Sequence, residues 1–178
     1  MITTNPGRPQ PSEHAAYFSR YIDLVPEDDI VAAVQAQGEE LASVLAGIGE
    51  EKAAFRYAPE KWSIKQVVGH VTDTERIFNY RLLAIARGEA KPLPGFDEND
   101  YMRHASFDEQ PFSEVVAGLA DTRRATLSLL RGLSSEAWTR KGVANENPTT
   151  PRAIAYMIAG HARHHLRVLR ERYLTSLS

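Results

Sequence analysis

The chain has 178 residues, a length suited to one domain, with 43% apolar and 25% charged residues and a formal net charge of −2. With a pI near 6.3, it carries no global electrostatic case for binding nucleic acid or an anionic membrane. Zero cysteines against six histidines exclude disulfides, thiol nucleophiles and thiolate ligands, so any metal must be held by nitrogen and oxygen.

The opening MITTNPGRPQ lacks the basic start and apolar core of a secretory signal. The longest uncharged run, around Ala153 to Ala162, is about ten residues, against the roughly 20 needed to span a bilayer. A cytoplasmic protein without a membrane span is expected. Pro6, Gly7, Pro9 and Pro11 predict a poorly ordered lead-in over residues 1–12, followed by a single domain over 13–178.

From Pro26 the pattern is helical. Ile30, Val31, Val34, Leu41, Val44, Leu45 and Ile48 recur at three- and four-residue steps. Glu27, Asp28 and Asp29 suit the positive end of this first helix, and Gly47 and Gly49 close it. A second helix opens at Ser63, with Gln66 completing a capping box, and stops near Gly88. A third begins near Pro111 and runs through Phe112, Val115, Leu119, Thr126 and Leu130. Thr150 and Pro151 are the N-cap and first-turn proline of a fourth, which reaches about Leu174. No alternating strand pattern is evident. The predicted fold is all-α, a four-helix bundle with long crossover connections.

Residues 89–110, EAKPLPGFDENDYMRHASFDEQ, form a connection without clear periodicity that is too long for an ordinary turn. Phe96, Tyr101 and Phe107 argue against disorder and for a crossover packed over one bundle end. Ala137–Thr149, with Trp138, is a second, shorter crossover. Two long crossovers allow neighbouring helices to run parallel.

Placed at about 100° per residue with Ile154 at zero, His161 falls near −20° and His165 near +20°, in the middle of the apolar stripe. His164 lies on the flank. Adjacent imidazoles one turn apart can bind one divalent ion at about 2.0–2.1 Å. The alternatives are hydrogen-bonded core histidines or a surface pair. On the second helix the wheel places Glu75 centrally on the apolar face and His70 on a flank with Thr74, Ile77 and Arg81, so both stand as candidates for a third ligand.

The stretch YAPEKWSIKQVVGHVTDTERIFNYRLLAIARGEAKPLPGFDENDY and the later TPRAIAYMIAGHARHHLRVLRERYL resemble the DinB-like family. These are small metal-binding four-helix proteins related to YfiT and to bacillithiol and mycothiol S-transferases. The resemblance covers roughly residues 17–175 and implies a four-helix bundle with parallel neighbours, often a homodimer. It implies that one histidine of the second helix and an H-x-x-x-H pair of the last hold a metal, here His70, His161 and His165. Glu75 then becomes a buried carboxylate behind the site or in the packing.

Three neutral imidazoles leave open positions on a divalent ion, as in catalytic sites. Zinc or nickel suits such a donor set, with manganese possible if carboxylates or water complete the shell. The family resemblance implies metal-dependent transfer of a small-molecule thiol to an electrophile, with the thiol supplied by the substrate because the chain has no cysteine. Metal-dependent hydrolysis and a non-enzymatic metal-binding or stress-response role are the alternatives. A metalloprotease H-E-x-x-H site is excluded because Ala162 follows His161. Asp97, Glu98 and Asp100 on the crossover could supply a base, and Arg81 could hold an anionic substrate. Arg152, Arg163, Arg167 and Arg170 share the outer face of the fourth helix, which reads as a solvated face rather than a nucleic-acid stripe.

Overall fold

A computed structural model describes residues 5–175. Four long helices carry the fold: α2 (Ile30–Ala46), α4 (Ile64–Ala86), α6 (Phe112–Arg131) and α8 (Pro151–Val168). Between them lie the short helices α1 (Ser19–Ile22), α3 (Glu50–Ala53), α5 (Glu98–His104) and α7 (Ser135–Trp138). Local chemistry sets the long boundaries. Ser63 and Gln66 close a complete capping box at the start of α4, and Thr150 accepts from the Ala153 N–H ahead of Pro151. The first long helix starts later than the Pro26 expectation, because the Asp29 carboxylate caps it by accepting from the Ala32 N–H at 3.0 Å. After Val168 the last helix widens into a π-helical turn over Leu169–Leu174.

Side-chain pairings give the directions. Lys65 and Asn79 of α4 meet Gln110 and Thr126 at and along α6, so these neighbours run parallel. His70 and Phe78 meet His165 and His161 in turn, so α4 and α8 are antiparallel. Gln35 and Gly38 meet Arg131 and Arg123, making α2 antiparallel to α6. Tyr156 reaches Glu27 and Arg170 reaches Glu40, so α2 and α8 run parallel. The bundle is therefore wired up, down, down, up. A parallel neighbour forces the chain leaving α4 to travel back along a helix about 30 Å long before α6 begins, which accounts for the long crossover.

That crossover is more ordered than its lack of periodicity suggests: α5 forms within it, capped by Asp97, and a 3₁₀ turn follows at Phe107–Glu109. The second crossover corrects the expectation of no strands. Strands β1 (Gly142–Ala144) and β2 (Asn147–Thr149) pair as an antiparallel hairpin. Asn145 and Glu146 both adopt positive φ, at 49° and 62°, the conformation a two-residue turn requires. Pro148 sits opposite Val143, one step beyond the pair flanking the turn, where no N–H is needed across the ladder. On its other side β1 exchanges backbone hydrogen bonds with Leu93 of the first crossover, each 2.9 Å.

Two apolar clusters fill the bundle. One gathers Ile30, Leu82, Leu130, Trp138 and Ile154; the other gathers Leu45, Ile64, Val68, Val115, Leu166 and Tyr173. Between them runs a buried polar chain. Asn79 donates to Thr126 at 2.7 Å, and the Thr126 hydroxyl donates to Glu75 at 2.5 Å. Glu75 pairs with Arg123 at 2.8 Å. Arg123 donates to Gln37 at 3.1 Å, and Gln37 donates to the Ala159 carbonyl at 2.7 Å. The chain touches all four long helices and fixes their register at one level.

Of the lead-in expected over residues 1–12, residues 1–4 lie outside the described residues. Beyond them, Arg8 donates to the Val25 and Ile22 carbonyls. Arg152 donates to the Pro6 carbonyl at 3.1 Å and pairs with Glu13. No helix of the described residues is long and apolar enough to cross a membrane.

Candidate metal centre

His70 projects from α4, and His161 and His165 project one turn apart from α8. Their Nε2 atoms converge: His70 to His161 is 3.0 Å and His165 to His161 is 3.1 Å. All three ligand atoms lie within 4.8 Å of one another. His70 and His161 are only 8% and 6% exposed, and His165 is half-buried.

Apolar and aromatic walls enclose the cluster. The Trp62 ring lies 4.8 Å from that of His70, and the Tyr21 ring lies 5.4 Å from that of His161. Tyr21 arrives on α1, which approaches α8 closely because residue 160 is glycine. A Cβ there would fall 2.0 Å from the Tyr21 carbonyl oxygen. Gly69, beside His70, admits the Phe107 ring in the same way, at 2.4 Å from an added Cβ.

Burial sets the protonation of the cluster. It pushes the His70 imidazole down to about 4, with the neighbouring His164 adding to the effect. His161 and His165 are held well below the ordinary histidine value, first by burial and then by the other histidines. All three are neutral bases at neutral pH, as a metal requires. A neutral imidazole nitrogen carries one N–H or one lone pair, so His161 Nε2 cannot make full hydrogen bonds to both neighbours. A cation between three lone pairs satisfies all of them. At metal–nitrogen distances of about 2.0–2.1 Å, neighbouring ligand atoms sit roughly 3.0–3.4 Å apart, and the 3.0 and 3.1 Å spacings to His161 lie at the short end of that range. The donor set fits a divalent ion.

A model of the DinB superfamily matches residues 33–169. The chain belongs to the DinB superfamily. Among solved structures, YfiT from Bacillus subtilis, described as a probable metal-dependent hydrolase with an unusual four-helix bundle topology, matches with a TM-score of 0.69. The match has 18% identity and covers 94% of this chain and 92% of that one. This likeness shows the shared fold. No curated protein sequence gives a significant match.

The remaining candidates of this DinB-superfamily chain separate cleanly. Glu75 is not a third ligand and does not back the histidines: it is buried against Arg123 and Thr126 on the α6 side of α4. Asp97 is spent on capping α5, accepting from the Asn99 and Asp100 N–H groups at 2.8 and 3.0 Å. Asp100 pairs with Arg103 on the surface. Glu98 and Arg81, by contrast, line a cavity of about 290 Å³ together with His70 and His161. Tyr21, Phe18, Asn145 and Asn147 also line it. Sequence reasoning missed these four, because each comes from a segment whose placement depends on long-range packing. The only local cue was the asparagine-led turn at Asn145.

Three of the four arginines on the outer face of α8 and the π-helical turn that follows it form ion pairs within the chain. Arg152 pairs with Glu13, Arg163 with Glu27 and Arg170 with Glu40.

Proposed function

We propose that the protein is a metal-dependent enzyme of small-molecule chemistry, in which His70, His161 and His165 hold one divalent ion, zinc or nickel by donor type. The observation that carries this reading is the convergence of three neutral imidazole nitrogens from two helices beside a cavity. A divalent ion held there supplies Lewis acidity, bringing a thiol or water within the neutral range of ionisation.

The residues around it do the rest. Burial keeps the three imidazoles deprotonated, and Trp62 and Tyr21 exclude water from their outer faces. The cavity mouth carries Glu98, an exposed carboxylate able to accept a proton. Transfer of a substrate thiol is the first reading, because a thiol bound to a metal ionises more readily than bound water. Hydrolysis, the activity in the description of YfiT, is the second reading, with Glu98 as base.

The test begins with the protein purified without a histidine tag. One equivalent of metal is expected, lost in His70→Ala, His161→Ala and His165→Ala; retention in all three variants refutes the site. Thiol consumption with an alkylating electrophile, run beside ester and amide hydrolysis, then separates transferase from hydrolase. Metal without either activity supports a non-enzymatic metal-binding role.

A further inference from the structure

The cavity beside the histidines has a cation at its far end. Arg81 lies eleven residues beyond His70 on α4, on the same side of the helix as Thr74. At 1.5 Å per residue, their Cα atoms are about 16 Å apart along the axis. The Arg81 side chain leans back towards the histidines, with its guanidinium 5.9 Å from the Phe78 ring centre and 5.7 Å from that of Phe96. The residue is 6% exposed. Its hydrogen bond to protein runs from Nη2 to the Pro94 carbonyl, at 2.6 Å, and uses one of five donors. Among the described residues, no carboxylate lies within salt-bridge distance of it. Glu98, the acid of the cavity, is exposed at the mouth.

We propose that Arg81 binds an oxyanion, a carboxylate or phosphate group, on the substrate whose reacting end lies at His70 and His161. A buried guanidinium without an acid partner is costly to maintain, and burial draws Arg81 below its ordinary value. Its planar fork suits two oxygens of one anionic group. Phe18, Phe78 and Phe96 line the cavity together with Thr74, Asn145 and Asn147, so the body of the substrate meets aromatic rings on one part of its surface and polar groups on another. The cavity volume of about 290 Å³ is at the small end of ligand pockets. The substrate class is thus a compact molecule with one acidic end. The location of its reacting end rests on the metal-site reading, whereas the Arg81 contact does not require metal.

The test uses the chelator-treated full chain and three probes of like shape: benzoate, phenyl phosphate and neutral benzamide. Binding is followed by amide NMR shifts of Phe96 and Asn145. Benzoate or phenyl phosphate is expected to bind at least tenfold tighter than benzamide, and the tighter of the two names the anion. Arg81→Met is expected to remove that advantage and leave benzamide unchanged. Equal binding of benzoate, phenyl phosphate and benzamide to the wild type overturns the proposal, and this arm needs no variant to fold. Arg81→Lys, which keeps the charge but not the fork, is expected to weaken oxyanion binding several-fold; undiminished binding in both variants also overturns it. Repeating the series with zinc distinguishes the two readings. An oxyanion that binds only with zinc and ignores Arg81→Met refutes the Arg81 contact alone. Failure of zinc to bind, with the Arg81-dependent binding intact, refutes the metal site alone.

Discussion

Replacing Glu75 by leucine would leave the Arg123 guanidinium buried without its counter-charge. Glu75 is 2% exposed and Arg123 5%, and their ion pair is 2.8 Å long. Burial works against both charges, raising the Glu75 carboxyl and lowering Arg123, while each partner pulls the other back. Removing one member of such a pair costs about 3–5 kcal/mol, a large part of the roughly 5–15 kcal/mol that holds a domain together. Joint replacement, Glu75→Leu with Arg123→Met, removes both desolvation penalties and is expected to lie within about 1 kcal/mol of wild type or above it. Glu75→Gln keeps the hydrogen bond from Thr126 and removes only the charge. Urea unfolding followed by circular dichroism gives each stability, and zinc stoichiometry is measured on the same samples. A single-variant loss below about 1 kcal/mol would refute the pairing argument, since an exposed pair loses no more. Loss of zinc in a fully folded Glu75→Gln protein would return Glu75 to the metal centre.

Two further outcomes follow from the packing and the buried histidines. Gly160→Ala sets a Cβ 2.0 Å from the Tyr21 carbonyl oxygen; because the obstacle is backbone, α1 must shift, at about 1–3 kcal/mol despite the gain in helix propensity. Thermal unfolding checks the loss, and unchanged stability would contradict the close approach of α1 and α8. The metal-free protein should lose stability as pH falls from about 6.5 towards 4. The unfolded chain takes up a proton on His70 near its ordinary value, 6.5, and the folded chain does so only near 4. The stability is therefore fully present above 6.5 and is lost as pH falls through that window, by up to about 3 kcal/mol for this residue. His161 and His165 act in the same direction. Melting temperatures of chelated protein across this window, with His70→Gln as comparison, check the slope, and a flat profile would contradict it.

The sequence by itself determined what is encoded within a few residues: the Ser63–Gln66 box, the Thr150–Pro151 start, the amphipathic stripes and the shared inward face of His161 and His165. These follow from helical periodicity and capping, which need no knowledge of a neighbour. It could not choose between His70 and Glu75, since both lie on buried faces of α4. Family resemblance pointed to His70, and the tertiary arrangement supplies the reason: α4 turns its Glu75 side to α6, where Arg123 waits, and its His70 side to α8. The hairpin, the Tyr21 and Trp62 walls and the inward placement of Arg81 likewise depend on segments far apart in the chain. Their energies arise only when those segments meet, through buried contacts and long-range hydrogen bonds. Periodicity thus named the faces, and tertiary packing decided what each face would meet.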